Sequence, residues 1–303
     1  MTYPPPLRPG DTVALIAPSG PCDSARLAAG VKVLEALGLR CRVAESCTTR
    51  EGFLAGPEAV RLRDLHEAFA TPEIRGVFAA RGGYGAQRLL PHIDYNLIKN
   101  NPKIFAGYSD ITALHIAFNK LCKLVTFHAP MAAADFGGGE ADAVTSRSFK
   151  EMLFAPAPEA GDTLRLPCHD ATFLVPGQAT APLTGGNLTL VAASLGTPYE
   201  IETRGRILFL EEVNEEPYKI DRLFTQLSLA GKLSTAAAII LGDFSPQTPQ
   251  ALTQTLNDIL LPLQIPTIIN YPSGHGSPNL TLPLGARVTV SSHPPKTHAP
   301  RRI

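Results

Sequence analysis

A serine between an apolar run and a helical pattern is the strongest candidate for chemistry in this chain. Ser109 stands in the segment Gly-Tyr-Ser-Asp, after the strand-like run 103–107 and before the apolar helical run 111–121. A hydroxyl on such a turn projects clear of a sheet, and the N–H of Asp110 at the helix N-terminus suits an oxyanion. The second glycine of G-x-S-x-G is missing, and either residue could instead cap the helix. Nucleophile and helix cap therefore remain alternatives.

A glycine-rich turn follows the strand-like run 76–80. It reads Arg81-Gly82-Gly83-Tyr84-Gly85, and glycines let backbone N–H groups approach an oxyanion or a phosphate closely. The spacing matches neither common nucleotide-binding glycine pattern. A plain tight turn is the alternative interpretation.

A glutamate and a histidine in the second half are suited to acid–base work. Glu211 ends the apolar run 206–210, and the carboxyl ends of strands in open α/β sheets are where ligand sites form. A buried glutamate there could orient an imidazole, whereas most of its acidic neighbours are expected to be solvated. His275 lies between two glycines and is the candidate general base, with His128 as its rival. No histidine pair has H-E-x-x-H spacing, so we predict no metal site.

The elements that must position these groups alternate along the chain. Strand-like runs at 12–17, 39–43, 76–80 and 103–107 alternate with helical patterns at 24–37, 59–69 and 111–121. Such alternation predicts an α/β fold with a mostly parallel sheet and flanking helices. Strand-like runs recur at 206–210 and 236–241 around a helical pattern at 220–230, and a Pro/Ala/Gly-rich run begins near 155. We predict an N-terminal α/β domain over 1–157, a linker over 158–180 and a smaller C-terminal α/β domain over 181–303.

Composition excludes several classes of protein. The 303 residues carry 27 Lys+Arg and 27 Asp+Glu, a balance that argues against binding to nucleic acid or to an anionic membrane surface. No run of apolar residues is long enough to span a bilayer, and the N-terminus lacks the pattern of a secretory signal. Five scattered cysteines without a C-x-x-C pair favour reduced thiols and a cytoplasmic location.

Seven short motifs together carry a family resemblance. In chain order they are L-I-A-P-S-G at 15–20, R-G-G-Y-G at 81–85, G-Y-S-D at 107–110, G-G-N-L at 185–188, G-T-P at 196–198, L-E-E-V at 210–213, and G-H at 274–275 followed by L-P-L-G at 282–285. Over nearly its whole length the chain resembles the LD-carboxypeptidase family of serine peptidases. That family includes murein tetrapeptide carboxypeptidases and microcin C7 self-immunity proteins.

The resemblance implies a set of roles. The family's Ser–Glu–His triad falls on Ser109, Glu211 and His275, and its oxyanion donors fall on the backbone N–H groups of Asp110 and Gly83. It implies an active site in a groove between the two domains, with the nucleophile on the first, and it implies a homodimer. No cofactor is implied.

The implied reaction is removal of the terminal D-Ala from the murein stem tetrapeptide, through an acyl-enzyme, in cell-wall recycling. We expect Arg81 to bind the terminal carboxylate, and Gly82 and Asn187 to contact the substrate. The chain has no Trp, whereas some relatives carry one before the G-G-N motif, and this favours the murein substrate.

Three alternatives remain. One is a peptidase that cleaves an acyl- or peptidyl-nucleotide amide, and another is a non-catalytic module that binds phosphate or nucleotide. A cysteine-dependent amidotransferase is the least favoured, because no cysteine stands at a strand-to-helix turn with a glycine.

Overall fold

The computed structural model describes residues 1–138, 142–159, 162–168, 172–247 and 249–292. The chain forms two compact units. The first contains Met1–Ala157 together with Asn279–Leu284, and the second begins at Pro158, runs to Pro278 and resumes at Gly285.

The strands and α-helices of the described residues are numbered along the chain. The strands are β1 (Thr12–Ile16), β2 (Arg40–Val43), β3 (Ile74–Ala79), β4 (Ile104–Gly107), β5 (Thr126–His128), β6 (Leu164–Arg165), β7 (Thr172–Val175), β8 (Gln178–Asn187), β9 (Ile207–Glu211), β10 (Ala238–Leu241), β11 (Thr267–Ile269), β12 (Leu282–Leu284) and β13 (Arg287–Ser291). The α-helices are α1 (Ser24–Ala36), α2 (Glu58–Ala70), α3 (Ala86–Leu89), α4 (Tyr95–Asn100), α5 (Thr112–Ala117), α6 (Ala143–Phe154), α7 (Leu188–Ala193), α8 (Pro217–Leu229) and α9 (Pro249–Thr255).

The first unit is built on a six-stranded sheet in the order β12-β5-β4-β3-β1-β2. Neighbouring strands are parallel except for β12, which runs antiparallel to β5. All four residues of β4 are buried, as expected for an apolar strand covered on both faces. Helix α1 begins after Asp23, whose side chain accepts from the N–H of Arg26, and ends before Gly38 at φ +92°. The predicted α/β fold with a mostly parallel sheet is confirmed.

One strand of this sheet comes from late in the chain. Residues 282–284 fall in the predicted C-terminal range 181–303, but the structure groups them with the first unit, where β12 pairs with β5. The strand is only three residues long and contains Pro283, which a sheet accepts at its edge. A run so short and interrupted by proline has no recognisable strand pattern, so the sequence did not assign it.

The second unit is built on a seven-stranded sheet in the order β6-β13-β8-β9-β10-β11-β7. Strands β8 to β11 are parallel, whereas β13 and β7 run antiparallel to their neighbours β8 and β11. Gly185 in β8 has φ +124°, and a Cβ there would lie 1.8 Å from the carbonyl oxygen of Phe209. Only glycine permits this close approach, and the resulting register places Asn187 opposite Glu211.

The predicted linker differs from what the structure describes there. The range 158–180 includes β6, β7 and the first residues of β8, which are short outer strands with little sequence signal. Residues 160, 161 and 169–171 of the range lie outside the described residues. The domain limits themselves stay a prediction.

Candidate active site

Ser109 lies on a sharp turn at the carboxyl end of β4. The strand ends at Gly107, a 3-10 turn spans Ser109–Ile111, and α5 follows at once. Ser109 has φ +63°, a left-handed conformation that non-glycine residues adopt at a cost. Its neighbours Tyr108 and Asp110 are buried, but Ser109 itself is partly exposed. The turn therefore presents one hydroxyl at the end of a buried strand.

The alternative that Ser109 or Asp110 caps the helix that follows them is wrong. The residue that caps the 3-10 turn is Tyr108 and the one that caps α5 is Ile111, and neither cap has a side-chain hydrogen bond. The Asp110 carboxylate instead accepts hydrogen bonds from Ser19 Oγ at 2.6 Å and from the N–H of Ala86 at 2.8 Å. Asp110 thus joins the turn at β4 to the loops that follow β1 and β3.

A buried arginine completes this connection. Arg61 is fully buried in α2, and its Nη1 donates to the carbonyl oxygens of Pro18 at 2.6 Å and Gly85 at 3.0 Å. Burial raises the pKa of Asp110, while its hydrogen bonds and the charge of Arg61 oppose that rise. Sequence analysis missed both contacts, because a charged residue on an amphipathic helix carries no mark of burial.

The glycine turn lies directly against the serine. A Cβ on Gly82 would stand 2.8 Å from Ser109 Cβ and 3.1 Å from Ser109 Oγ. The N–H of Gly20 donates to the carbonyl oxygen of Gly82 at 2.9 Å, and Gly83 follows at φ +105°. Only a residue without a side chain fits at position 82, so the glycine allows the backbone of this turn to approach Ser109 closely.

In the second unit Glu211 and His275 form a buried pair. His275 Nδ1 lies 2.6 Å from Glu211 Oε2; the Glu211 side chain is fully buried and that of His275 is 17% exposed. Burial raises the pKa of Glu211, and the hydrogen bond and charge of His275 act in the opposite direction. A carboxylate removed from water in this way is best stabilised when the imidazole beside it carries a positive charge.

The loop that carries His275 is held by the ends of β9 and β10. Gly274 has φ +132°, and a Cβ there would lie 3.0 Å from Glu211 Cβ and 3.2 Å from Asp243 Cβ. The N–H of Asp243 donates to the carbonyl oxygen of Ser273 at 2.9 Å. The glycine before the histidine therefore lets the loop pack onto the glutamate. Asp243 is a contact that sequence analysis missed.

Glu212 has a different environment from its neighbour. Its Oε1 accepts from Asn187 Nδ2 at 2.8 Å and from the N–H of Val213 at 2.9 Å, and its Oε2 accepts from the N–H and the hydroxyl of Thr189 at 2.9 and 2.7 Å. Glu212 is buried rather than solvated. Its carboxylate joins the end of β9 to the start of α7.

The remaining sequence-predicted residues have structural contacts of their own. Asn187 is buried and accepts from the N–H of Leu190, so it caps α7. Arg81 is exposed, and its Nη1 donates to the carbonyl oxygen of Pro21 at 2.8 Å. The rival base His128 is fully buried in β5, with its ring centre 5.3 Å from that of Tyr108.

Within the described part of the chain, no three His, Cys, Asp or Glu side chains gather as metal ligands. Over the same residues, no helix is both long and apolar enough to cross a bilayer.

Comparison with known proteins assigns the chain to a family. Residues 13–129 match the LD-carboxypeptidase N-terminal domain, and residues 180–290 match the LD-carboxypeptidase C-terminal domain. The chain belongs to the LD-carboxypeptidase family, as the sequence motifs indicated.

Individual relatives extend over almost the whole chain. A probable murein peptide carboxypeptidase of Bacillus subtilis is 41% identical over 292 residues, which are 94% of this chain and 90% of that protein. Among solved structures, a MccF-like protein of Bacillus anthracis superposes with a TM-score of 0.88 at 27% identity, covering 97% of both chains. A muramoyltetrapeptide carboxypeptidase of Oxalobacter formigenes gives 0.81 at 30% identity, covering 93% of this chain and 95% of the other. The chain is therefore a peptidase of a family that holds murein carboxypeptidases and MccF-type proteins.

Proposed function

We propose that this protein is a serine carboxypeptidase that removes the terminal D-Ala from the murein stem tetrapeptide. The observation that carries the proposal is the 2.6 Å contact between His275 Nδ1 and the buried carboxylate of Glu211. A carboxylate placed on Nδ1 fixes the imidazole so that its Nε2 acts as general base. The strained Ser109 turn supplies the nucleophile for that base.

The proposed reaction begins with proton transfer from Ser109. His275 Nε2 takes the hydroxyl proton while Ser109 Oγ attacks the carbonyl carbon of the residue before the terminal D-Ala. The backbone N–H groups of Asp110 and Gly83 stabilise the oxyanion of the tetrahedral intermediate. Because the Asp110 carboxylate holds the turn that carries Ser109, the nucleophile does not have to reorganise during the reaction.

Glu211 contributes through charge in this scheme. Its pKa is raised by burial and lowered by the hydrogen bond from His275, so the carboxylate is most stable when His275 is protonated. His275 is protonated in the transition state, and the buried anion therefore favours the transition state over the resting enzyme.

The acyl-enzyme forms when the peptide bond breaks. His275 gives its proton to the departing amine of D-Ala, and then activates a water molecule that releases the shortened peptide from Ser109. Arg81 is the proposed partner of the terminal carboxylate, and Gly82 and Asn187 are proposed to lie against the substrate. No cofactor enters the scheme.

A homodimer, a cytoplasmic location and the domain ranges 1–157, 158–180 and 181–303 belong to the same proposal. The dimer is tested by light scattering behind gel filtration. The domain ranges are tested by limited proteolysis, which should cut first within 158–180.

A second candidate substrate is an acyl- or peptidyl-nucleotide amide. Two solved structures of MccF, in complex with glutamyl sulfamoyl guanosine and with aspartyl sulfamoyl adenosine, favour it, with TM-scores of 0.83 and 0.84 to this chain. The murein substrate is preferred because identity rises to 41% with the murein peptide carboxypeptidase, and because the chain has no Trp.

The test is D-Ala release from free murein tetrapeptide by the wild type and by Ser109→Ala. Ser24→Ala, at an exposed serine in the first turn of α1, is the matched control. Release by the wild type and by Ser24→Ala but not by Ser109→Ala supports the substrate and the nucleophile. Equal release by Ser109→Ala refutes the serine mechanism. Release by none, with cleavage of an aminoacyl sulfamoyl nucleoside, favours the second candidate.

A further inference from the structure

Two aromatic side chains lie side by side on the surface of the first unit. Phe53 is 62% exposed and Tyr84 is 49% exposed. Their ring centres are 5.4 Å apart with the planes at 69°. Large apolar side chains are normally buried, so a contiguous exposed aromatic pair is typical of a binding surface.

An exposed arginine lies beside both rings. The guanidinium carbon of Arg88 is 5.9 Å from the ring centre of Phe53 and 5.6 Å from that of Tyr84. Both distances are within the range of cation–π attraction. Phe53, Tyr84 and Arg88 together are called the aromatic–arginine cluster, which combines two π faces with a hydrogen-bonding cation.

The cluster adjoins the nucleophile turn. Tyr84 follows Gly82 by two positions, so their Cα atoms are at most about 7.6 Å apart. Gly82 itself is in close contact with Ser109. A substrate whose reacting carbonyl lies at Ser109 would therefore reach the cluster within the length of a few residues.

The backbone beneath the rings is fixed. Gly83 and Gly85 flank Tyr84 at φ +105° and +124°, and a Cβ on Gly85 would lie 2.5 Å from Leu54 Cδ2. Backbone hydrogen bonds of 2.9 Å join Glu51 and Leu54 in both directions around Phe53. A ligand on this surface would pay little entropy for ordering the backbone.

We propose that the aromatic–arginine cluster is the subsite for the sugar ring of a muramoyl-linked tetrapeptide, an inference that rests on the proposed function. The negative face of an aromatic ring attracts the C–H groups of a saturated ring. A guanidinium donates charge-assisted hydrogen bonds to carboxylate oxygens. A muramoyl peptide presents both partners, a sugar ring next to an acidic peptide.

The test compares two substrates, free tetrapeptide and muramoyl-tetrapeptide, on the wild type and on the double variant Phe53→Ala/Tyr84→Ala. The quantity measured is the ratio of kcat/KM for the muramoyl substrate to that for the free peptide. We expect the double variant to lower this ratio about five- to tenfold, as the loss of two aromatic contacts implies.

A matched control removes an aromatic side chain with similar surroundings elsewhere. Tyr218 at the start of α8 is 57% exposed, and the guanidinium carbon of Arg222 lies 5.6 Å from its ring centre. Tyr218→Ala should leave the substrate ratio unchanged. An equal fall of the ratio in Tyr218→Ala overturns the assignment to the aromatic–arginine cluster.

The outcomes separate this subsite from the proposed function. Hydrolysis of both substrates with an unchanged ratio in the double variant overturns the subsite and leaves the peptidase function standing. A shift of the double variant from dimer to monomer with an unchanged ratio also overturns it, because the surface then serves a second copy of this chain.

If the wild type hydrolyses neither substrate, the proposed function fails and binding decides the subsite. Muramoyl-tetrapeptide and adenosine monophosphate are then titrated calorimetrically into Ser109→Ala with and without the double substitution. Weaker binding of the muramoyl ligand alone supports the subsite. Equal binding of that ligand, or weaker binding of the nucleotide alone, overturns it.

Discussion

The adjacent acids Glu211 and Glu212 are predicted to fail in opposite ways when each is changed to glutamine. Glu211→Gln should remove turnover and leave the protein folded. Glu212→Gln should lower stability and retain turnover at temperatures where the protein is folded. The two glutamates are adjacent in sequence and both are buried, so comparing them tests the effect of their different hydrogen-bond partners.

The size of the effect at Glu211 follows from its charge. Glutamine can still accept from His275 Nδ1, which lies 2.6 Å from the carboxylate oxygen. It cannot offset the positive charge that the imidazole acquires in the transition state. In serine peptidase triads the change from carboxylate to amide costs about 10⁴-fold in kcat. We expect a loss of 10²- to 10⁴-fold here.

The size of the effect at Glu212 follows from counting its donors. If the amide nitrogen of the glutamine replaced Oε1, it would face two hydrogen-bond donors, Asn187 Nδ2 and the N–H of Val213. The amide oxygen is therefore expected to replace Oε1, and the amide nitrogen to replace Oε2. There the Thr189 hydroxyl can turn round and accept, which leaves one backbone N–H without its acceptor. Such a loss costs about 1–3 kcal/mol, with about 2–4 °C of melting temperature for each kcal/mol.

The assay measures D-Ala release at saturating tetrapeptide and thermal melting by circular dichroism on the same samples. Glu216→Gln, at an exposed acid nearby, is the control for both. Turnover of Glu211→Gln within threefold of wild type, together with an inactive but fully stable Glu212→Gln, would refute the reasoning and exchange the roles of the two acids.

Three further perturbations follow from the same contacts. Gly82→Ala should lower kcat about 100-fold, because its Cβ would stand 2.8 Å from Ser109 Cβ and a misplacement of about 1 Å can lower the rate about 100-fold. The control is Gly138→Ala, whose Cβ would have its nearest neighbouring atom at 3.4 Å and which should be active; comparable kcat in the two variants would contradict the argument. Asp110→Ala should lower stability by about 1–3 kcal/mol in urea unfolding, since the hydroxyl of Ser19 and the N–H of Ala86 both lose their acceptor, Asp110 Oδ2; an unchanged unfolding midpoint would show that the carboxylate does not hold those loops. Burial raises the pKa of Glu211 above its ordinary value of 4.5, so its contribution to stability is full below that pH and is lost as pH rises through the higher value in the folded state. The free energy of unfolding of wild type minus that of Glu211→Gln should therefore fall as pH rises above 4.5 in urea titrations, and a difference that grows with pH would contradict this sign.

The sequence predicted those features that depend on local pattern. The apolar runs became β1 to β4, and Glu211 is the last residue of β9, at the strand end where a functional acid was expected. The glycine turn and the serine were also singled out, because glycine spacing and a strand-to-helix junction are local signals.

Contacts between distant residues were not predictable in this way. Arg61 and Asp110 are 49 positions apart and both buried. The segment of Arg61 looks like an ordinary amphipathic helix, and nothing local to Asp110 shows which loops its carboxylate joins. The burial of Glu212 depends on Asn187 and Thr189 in another strand and helix. Such partners become visible only when the register of the sheet is known.

The strand β12 has a consequence for biosynthesis. The first sheet needs residues 282–284 to cover the edge of β5, although its other strands are complete by residue 128. Residues 282–284 are synthesised long after β5, which ends at His128, so that edge stays unpaired while the intervening residues are made. Until then the nascent first unit presents unpaired backbone groups, the kind of edge that invites aggregation. Contacts of such long sequence separation also slow folding, so the first unit is most prone to aggregation in the interval before residues 282–284 emerge.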